Sequence, residues 1–539
     1  MSLPKITKKA KTKRFLGWAL VFALVLFGLL KGLEFTLENQ IEGLINTNED
    51  RKYDLRYKSL NLNILTTKVK LEGVSIVPVN PDSTKSFVSA SLEEAQLNGV
   101  DVFKFLTSKV LTIDELNFLA PNFLLTLAGG QESSRGSSAF QDLFKDIISR
   151  GEIKNFSMKG GNAELYLASD PSRKIGSFNN FNITASDLST DAVQLNHAIP
   201  FQFENIHTSL ESFTYELDFG RHLSFDSFDF SYADQELTIL GLKMGFENTW
   251  QDQAKLIGYQ TDIIDFKLGS LKFKKLSPSA SLYDSLVFVS EKLELDSLVL
   301  KDRRDKNIPR PKDEIKENFA ALLKKLNFPL LIDTIKITNS SVEYFEINEG
   351  STEAGVLLLS ELDATILNAT SMDSLEAIRP LEIALTGKLN EASDFSLNVI
   401  ENYQDLSFSV DLEVGAMSMK SLNTTLVNLA SIEIKSGQMT SLKLRMDAGT
   451  YSSRNHFSIQ YSGLDFDLLK KDSQAKNKLL SSVSKVAYFQ SFQKGDKHWN
   501  DPSYTTKRNR YRGPINLIWL SLKEGLLKTV PRGAARALL

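Results

Sequence analysis

Leu406-Ser407-Phe408-Ser409-Val410-Asp411-Leu412-Glu413-Val414 alternates apolar and polar residues from end to end. Successive side chains of an extended strand point to opposite faces, so this stretch builds one greasy face and one wet face. The same rhythm returns at Leu60, Leu62 and Ile64, at Val69-Leu71 and at Val74-Ile76. It returns again at Leu381-Ile383-Leu385, Phe395-Leu397-Val399, Leu442-Leu444-Met446 and Phe457-Ile459-Tyr461. A sheet buried on both faces would show continuous apolar runs instead. The expected fold class is mainly β: a β-rich repeat, a β-arch sheet or groove with a few short helices, behind one N-terminal transmembrane helix.

A second pattern, apolar-x-x-apolar-x-apolar, occurs at Ile113-Leu116-Phe118, Ile153-Phe156-Met158, Phe225-Phe228-Phe230, Leu295-Leu298-Leu300 and Ile332-Ile335-Ile337. Two copies match over a longer stretch at a constant offset of 179 residues. Phe140, Leu143, Phe144 and Ile147 precede Ile153, Phe156, Met158 and Tyr166; Phe319, Leu322, Leu323 and Leu326 precede Ile332, Ile335, Ile337 and Phe345. Each copy reads as a short amphipathic helix leading into a β-arch. Such a unit cannot bury its own apolar face and must stack on neighbours.

Residues 15 to 30 carry no charge, and Phe15, Leu16, Trp18, Leu20, Phe22, Leu26, Phe27 and Leu30 give the segment its apolar bulk. From Phe15 to Leu33 a helix is roughly 28 Å long, near the ~30 Å of a hydrocarbon core. Lys5, Lys8, Lys9, Lys11, Lys13 and Arg14 lie before it, whereas Glu34, Glu38, Glu42, Glu49 and Asp50 follow. The positive-inside rule therefore puts the N-terminus in the cytoplasm and the rest across the membrane. A cleaved signal peptide has the same start, but it ends in small-x-small, and here the run ends Lys31-Gly32-Leu33-Glu34-Phe35.

Near the other end, Ile515, Ile518, Trp519, Leu522 and Leu526 fall on one helical face, with Lys523 and Lys528 close by. Arg508, Arg510, Arg512 and Arg532 flank them. Trp among apolar residues with basic neighbours suits a helix lying in an anionic lipid interface. It equally suits a terminal helix that caps the sheet, and the two roles are compatible. Punctuation falls at Ala128 to Ser138, rich in Gly and Ser, and at Lys301 to Asp313, where Pro309 and Pro311 sit in a charged run that reads as a solvated linker.

Composition narrows the chemistry. A net charge of -3 over 539 residues gives no field to gather nucleic acid, so none is expected as a partner. Cysteine is absent, which removes disulfides, thiolate metal sites and cysteine nucleophiles. The 34 Phe residues must be hidden in a core, a groove or a partner. His197, His207, His222, His456 and His498 are scattered, and no phosphate-binding, dinucleotide or nucleophile-elbow motif occurs. Hence no catalytic, cofactor-binding or metal residues are expected, and no enzyme activity.

Three stretches make the chain resemble the AsmA-like envelope proteins of Gram-negative bacteria, in a short form with one anchor. The first runs from the anchor through Tyr57-Lys58-Ser59-Leu60-Asn61-Leu62 and Leu71-Glu72-Gly73-Val74-Ser75-Ile76 to Leu111-Thr112-Ile113-Asp114-Glu115-Leu116-Asn117-Phe118. The second is Ile332-Asp333-Thr334-Ile335-Lys336-Ile337-Thr338-Asn339-Ser340-Ser341-Val342-Glu343-Tyr344, then Leu362-Asp363-Ala364-Thr365-Ile366. The third is Ser436-Gly437-Gln438-Met439-Thr440-Ser441-Leu442, leading through Tyr461-Ser462-Gly463-Leu464 to Leu468-Leu469.

The resemblance implies a body hanging from the inner membrane into the periplasm, whose apolar groove shields lipid acyl chains during transfer between envelope membranes or supports outer-membrane biogenesis. Membrane lipids are then the expected partners, with outer-membrane assembly proteins as further ones. The alternative is a structural or assembly factor that binds envelope proteins through sheet edges and its basic C-terminal tail. The expected organisation is a basic cytoplasmic tail (1–14), an anchor (15–33), a first β-rich periplasmic region (34–300), a charged linker with a short helix (301–326), a second, AsmA-like β-rich region (327–470) and a basic tail with the amphipathic helix (471–539). At roughly 10–14 residues per strand with its turn, the body holds ~30–40 strands.

Overall fold

The computed structural model describes residues 51–81, 84–101, 110–128, 151–191, 201–280, 286–326, 328–372, 379–469 and 488–533, with single positions between them. The chain is mainly β and divides into two compact units, 1–211 and 212–539. The division therefore falls at Glu211/Ser212 rather than at the charged run after residue 300.

In the first unit the strands are β1 (Tyr53–Arg56), β2 (Ser59–Asn63), β3 (Lys68–Pro78), β4 (Phe87–Asn98), β5 (Leu111–Leu119), β6 (Asn122–Leu127), β7 (Gly151–Leu167) and β8 (Asp170–Thr190). Strand β9 (Asn205–Leu217) crosses the boundary. The second unit continues with β10 (Arg221–Ser231), β11 (Glu236–Phe246), helix α1 (Trp250–Ile257), β12 (Ile263–Lys274), β13 (Ser277–Ala280), β14 (Leu286–Asp305), helix α2 (Phe319–Leu323), β15 (Leu330–Ile347), β16 (Ala354–Thr370), β17 (Leu381–Leu389), β18 (Ser393–Glu401), β19 (Phe408–Val414) and β20 (Met417–Ser418). Helix α3 (Asn423–Ala430), β21 (Ile432–Ala448), β22 (Ser452–Leu468), β23 (Ser503–Lys507) and helix α4 (Pro514–Thr529) complete it. Among the described residues there are twenty-three strands, and several run through what a turn count treats as two: β8 has 21 residues and β14 has 20.

Register turns the period-two rhythm into rows. Residues paired across neighbouring strands share a face. In the second unit one row runs Phe230, Leu237, Phe273, Leu293, Ile335, Ile366, Ile383, Val399, Val410, Met446. The next runs Phe228, Ile239, Leu271, Leu295, Ile337, Ala364, Leu385, Leu397, Leu412, Leu444, Phe457. The first unit repeats the device: Leu62, Val69, Leu97, Leu116, Phe156, Ala185 lie beside Leu60, Leu71, Ala95, Phe118, Met158, Ile183.

The three-residue steps in the sequence mark where this rhythm slips. Positive φ occurs at Gly241 in β11, Ser297 in β14, Asn339 in β15 and Glu361 in β16. Pairing skips these positions, so they form a line across the strands, with Gly269 of β12 opposite Ser297. A left-handed residue inside a strand turns the chain over, and the register itself shifts, as at a β-bulge, where β15 meets β16 and β16 meets β17. Beyond the line the apolar face resumes one residue later, in Leu242, Leu268 and Leu298 and then in Met244, Phe266, Leu300, Val342 and Leu359. A strict alternation would have sent those side chains to the wet face.

The bulges leave backbone amides without ladder partners, and Asx and Ser side chains take them. Asn339 N–H donates to Asp363 Oδ1 (3.3 Å) and Leu298 N–H to Ser340 Oγ (3.1 Å). Asp296 accepts from the Thr338 hydroxyl (2.7 Å), the Asn339 amide (2.7 Å) and the Ser297 hydroxyl (2.8 Å), which hold its carboxyl below the usual range. In the first unit Gly160 N–H donates to Asn182 Oδ1 at 2.9 Å.

The offset of 179 residues survives in three dimensions. Strands β7 and β15 begin that far apart, each parallel to the strand before it and antiparallel to the strand after it. Their left-handed residues, Gly160 and Asn339, keep the same offset. The helical stripe of the first copy, Phe140 to Ile147, lies outside the described residues; that of the second is α2.

The charged run after residue 300 is not all linker. Lys301–Asp305 finishes β14, in register with Glu343–Ile347. Cross-strand ion pairs make this possible: Arg303 with Asp265, Arg304 with Asp262, and Lys301 with Glu343 at 3.6 Å.

At Gly241 an added Cβ would stand 2.0 Å from Asp226 Oδ2. Gly241→Ala should lower stability by about 1–3 kcal/mol through strain at positive φ and this contact. In urea melts, Asp226→Ala combined with Gly241→Ala should restore the contact's share and leave the strain.

Candidate functional site

The apolar rows are covered unevenly. At the C-terminal end Val399, Val410, Leu444, Met446 and Phe457 are buried beneath Tyr488, Phe492, Leu517 and Ile518. Nearer the start of the second unit the rows open. No residue of β10 or β11 is buried, and Phe228, Phe230, Leu237 and Ile239 are only partly covered. Phe213 stacks on Phe225 with ring centroids 4.6 Å apart, so this face is paved with aromatic surface. Farther along, the short helix α2 lies against β16 and supplies a partial cover, with Ala320 in one buried cluster with Leu293, Ile332 and Leu381.

The cover is pinned by one carboxyl. Glu401 ends β18 on the apolar face, fully buried. Its Oε2 accepts the Ala320 N–H at 3.1 Å, at the start of α2. Its Oε1 has no hydrogen-bond partner, and neither does Asn318 Oδ1. Asn318 fixes the strap ahead of α2 by donating to the Leu406 carbonyl at 2.8 Å. Burial pushes the Glu401 carboxyl up to about 7, against the pull of the Ala320 and Phe319 amides and of Arg508. The nearby charges on Arg508 are those of Arg510, Glu401 and Glu317.

Helix α4 caps the closed end. The residues it buries are Pro514, Leu517, Ile518, Ser521, Gly525 and Thr529. The anticipated face is therefore rotated: Ile518 points inward, Leu522 and Leu526 lie half-buried at the edge, and Ile515 and Trp519 point to solvent. The small residues decide this. Gly525 sits against the Phe457 ring and the Tyr504 hydroxyl, while Ser521 Oγ lies 3.1 Å from Ser453 Oγ and 3.5 Å from Met446 Sδ. A helical wheel weighted by hydrophobicity ranks Trp519 above glycine and so misses a face chosen by fit. Lys523 is exposed, whereas Lys528 pairs with Glu524 at 3.8 Å and lies over the Tyr504 ring.

Of the anchor residues, Phe15, Leu16, Trp18, Leu20, Phe22, Leu26 and Leu30 lie outside the described residues; Phe27 is helical and exposed. Among the described residues no helix is long and apolar enough to cross a membrane.

Other polar groups do not converge. His222 faces Glu247 at 3.7 Å, His456 meets Ser503 Oγ at 3.2 Å, and His498 donates to the Ser491 carbonyl at 2.8 Å while stacking on Phe489. Among the described residues no three metal-ligating side chains cluster. A concavity of about 1090 Å³ lies on the wet face of β18, β19, β21 and β22, lined by Arg379, Arg454, Asp447, Asn402 and Thr505 among others. Its lining holds one carboxylate and no histidine. No protein-family model matches the chain, and no curated protein is similar to it.

Two outcomes follow from the cap and the carboxyl. Gly525→Ala should destabilise the chain by about 1–3 kcal/mol in denaturant melts, by overpacking Phe457, although Ala is the better helix former by about 1 kcal/mol. Glu401 has a folded-state pKa above its ordinary 4.5, so its contribution is full below about 4.5 and is lost as pH rises through about 7. Amide protection at 318–323, taken relative to the intrinsic exchange rate at each pH, should therefore fall from acid to neutral pH in the native chain. Glu401→Gln should flatten that dependence.

Proposed function

We propose that this chain is a non-catalytic lipid carrier of the bacterial envelope: residues 15–33 anchor it in the inner membrane, residues 1–14 stay in the cytoplasm, and the β body stands in the periplasm. The open apolar rows of β10 to β12 hold acyl chains. What supports the reading is the contrast within one sheet face. The rows that bury Val399, Val410, Leu444, Met446 and Phe457 over β18 to β22 bury no residue of β10 or β11.

Apolar surface of that extent needs an occupant. Each methylene of an acyl chain moved from water onto such a surface is worth about 0.8 kcal/mol, so transfer is favourable with no bond made or broken. The Glu401-pinned helix α2 lies against β16, farther along the same rows, where it can limit how far a chain extends along them. The sealed C-terminal core favours a second reading for that part alone, a structural or assembly role resting on a closed sandwich.

Native mass spectrometry of the full-length protein released from membranes tests this. Lipid should leave with the wild-type chain, and a photoreactive residue at Ile239 should crosslink it. Ile239→Lys should reduce the bound lipid while the thermal transition of the sealed core stays in place. A protein that never carries lipid, and a crosslinker that captures only protein, would sink the carrier reading.

A further inference from the structure

The outward side of α4 carries large apolar side chains that no other element covers. Ile515 is 69% exposed and Trp519 51%, one helical turn apart, with Lys523 one turn further on. Tyr511 precedes them, also exposed. Two distant segments meet the chain at the entrance to this helix. Lys316 N–H donates to the Arg510 carbonyl at 2.9 Å, and Arg508 N–H donates to the Tyr451 carbonyl at 2.9 Å. They bring the exposed Ile315 and Tyr451 to the same place, where the Arg510 guanidinium lies 5.3 Å from the centre of the Tyr451 ring.

The acids of the segment around Ile315 are already paired, Glu314 with Lys316 at 3.8 Å and Glu317 with Lys325 at 3.7 Å. Arg510, Arg512 and Lys523 form no ion pair with any described residue. Two Ile, a Trp and two Tyr side chains beside unpaired cations match the boundary of an anionic bilayer: the rings settle at headgroup depth and the cations meet the phosphates.

We propose that this aromatic and basic patch docks the C-terminal end of the second unit on an anionic bilayer surface. The docking is separate from lipid carriage by the rows: it uses other residues and needs no groove. Because helix α4 is held by its inner side to Phe457 and Met446, the patch is presented as a rigid unit, with no helix to be formed on contact.

The absence of cysteine makes the test direct. The full-length chain, kept in amphipol to shield its N-terminal segment, carries one environment-sensitive dye, through Ile515→Cys or, as a control in the β15–β16 turn, Glu353→Cys. Vesicles of phosphatidylcholine alone, or containing phosphatidylglycerol, are then added. The dye at position 515 should brighten and shift to the blue with phosphatidylglycerol, several-fold less with phosphatidylcholine, and hardly at position 353. Added salt should weaken the response, and the triple change Arg510→Gln, Arg512→Gln, Lys523→Gln should abolish it. All three side chains are on the surface, so circular dichroism should be unchanged. No response at 515, an equal response at 353 or to phosphatidylcholine, or a response that survives the triple change overturns the proposal.

Discussion

Every feature of the second unit depends on the pairing of apolar side chains across strands that keep register over long distances. A slip of one residue would exchange the greasy and wet faces of a strand. The left-handed line through Gly241, Ser297, Asn339 and Glu361 is such a slip, made in neighbouring strands together, so that the face is preserved while the strands bend. Its cost is borne locally. Two of these positions are Gly and Asn, which tolerate positive φ, and the amides released at the bulges find Asp363 and Ser340. Ser297 and Glu361 enjoy no such tolerance and are held by the paired strands around them.

A shared face does not mean a shared fate. Over β18 to β22 the rows end under α4 and the segment around Phe492, and hydrophobic burial there is nearly complete. Over β10 and β11 the same kind of side chain keeps part of its surface in water. The sealed part has the properties of a scaffold, while local opening and ligand exchange belong to the part with few buried contacts. Between them stands α2, five residues long, too short to be stable by itself and held by Glu401 and Asn318. A fold that fastens its cover with a carboxyl titrating near neutrality leaves that cover the most responsive element of the unit.

Alternation made the strands legible, and the apolar-x-x-apolar-x-apolar steps at Phe225-Phe228-Phe230 and Leu295-Leu298-Leu300 already held the bulges, although their spacing alone does not name them as such. The 179-residue offset pointed correctly to β7 and β15. Charge misled at Lys301 to Asp305, since the acids that make this stretch a strand lie at Asp262, Asp265 and Glu343, far off in sequence. The inner face of α4 was hidden for another reason: its closest contacts belong to Gly525 and Ser521, whose value lies in being small. Glu401 carried only a faint signal: it continues the Phe395-Leu397-Val399 alternation as an acid on the apolar face, but nothing in the spacing names α2 as what it holds.

The unequal covering of one continuous row is the claim on which the rest stands. Single cysteines placed along it at Phe228, Ile239, Leu271, Leu412, Leu444 and Phe457 in the otherwise cysteine-free chain, each timed for modification by a water-soluble maleimide, measure it directly. Fast modification at 228 and 239, slower at 271 and 412 and nearly none at 444 and 457 is the result this structure predicts. Equal rates along the row, or protection at 228 and 239 in protein stripped of lipid, would contradict it.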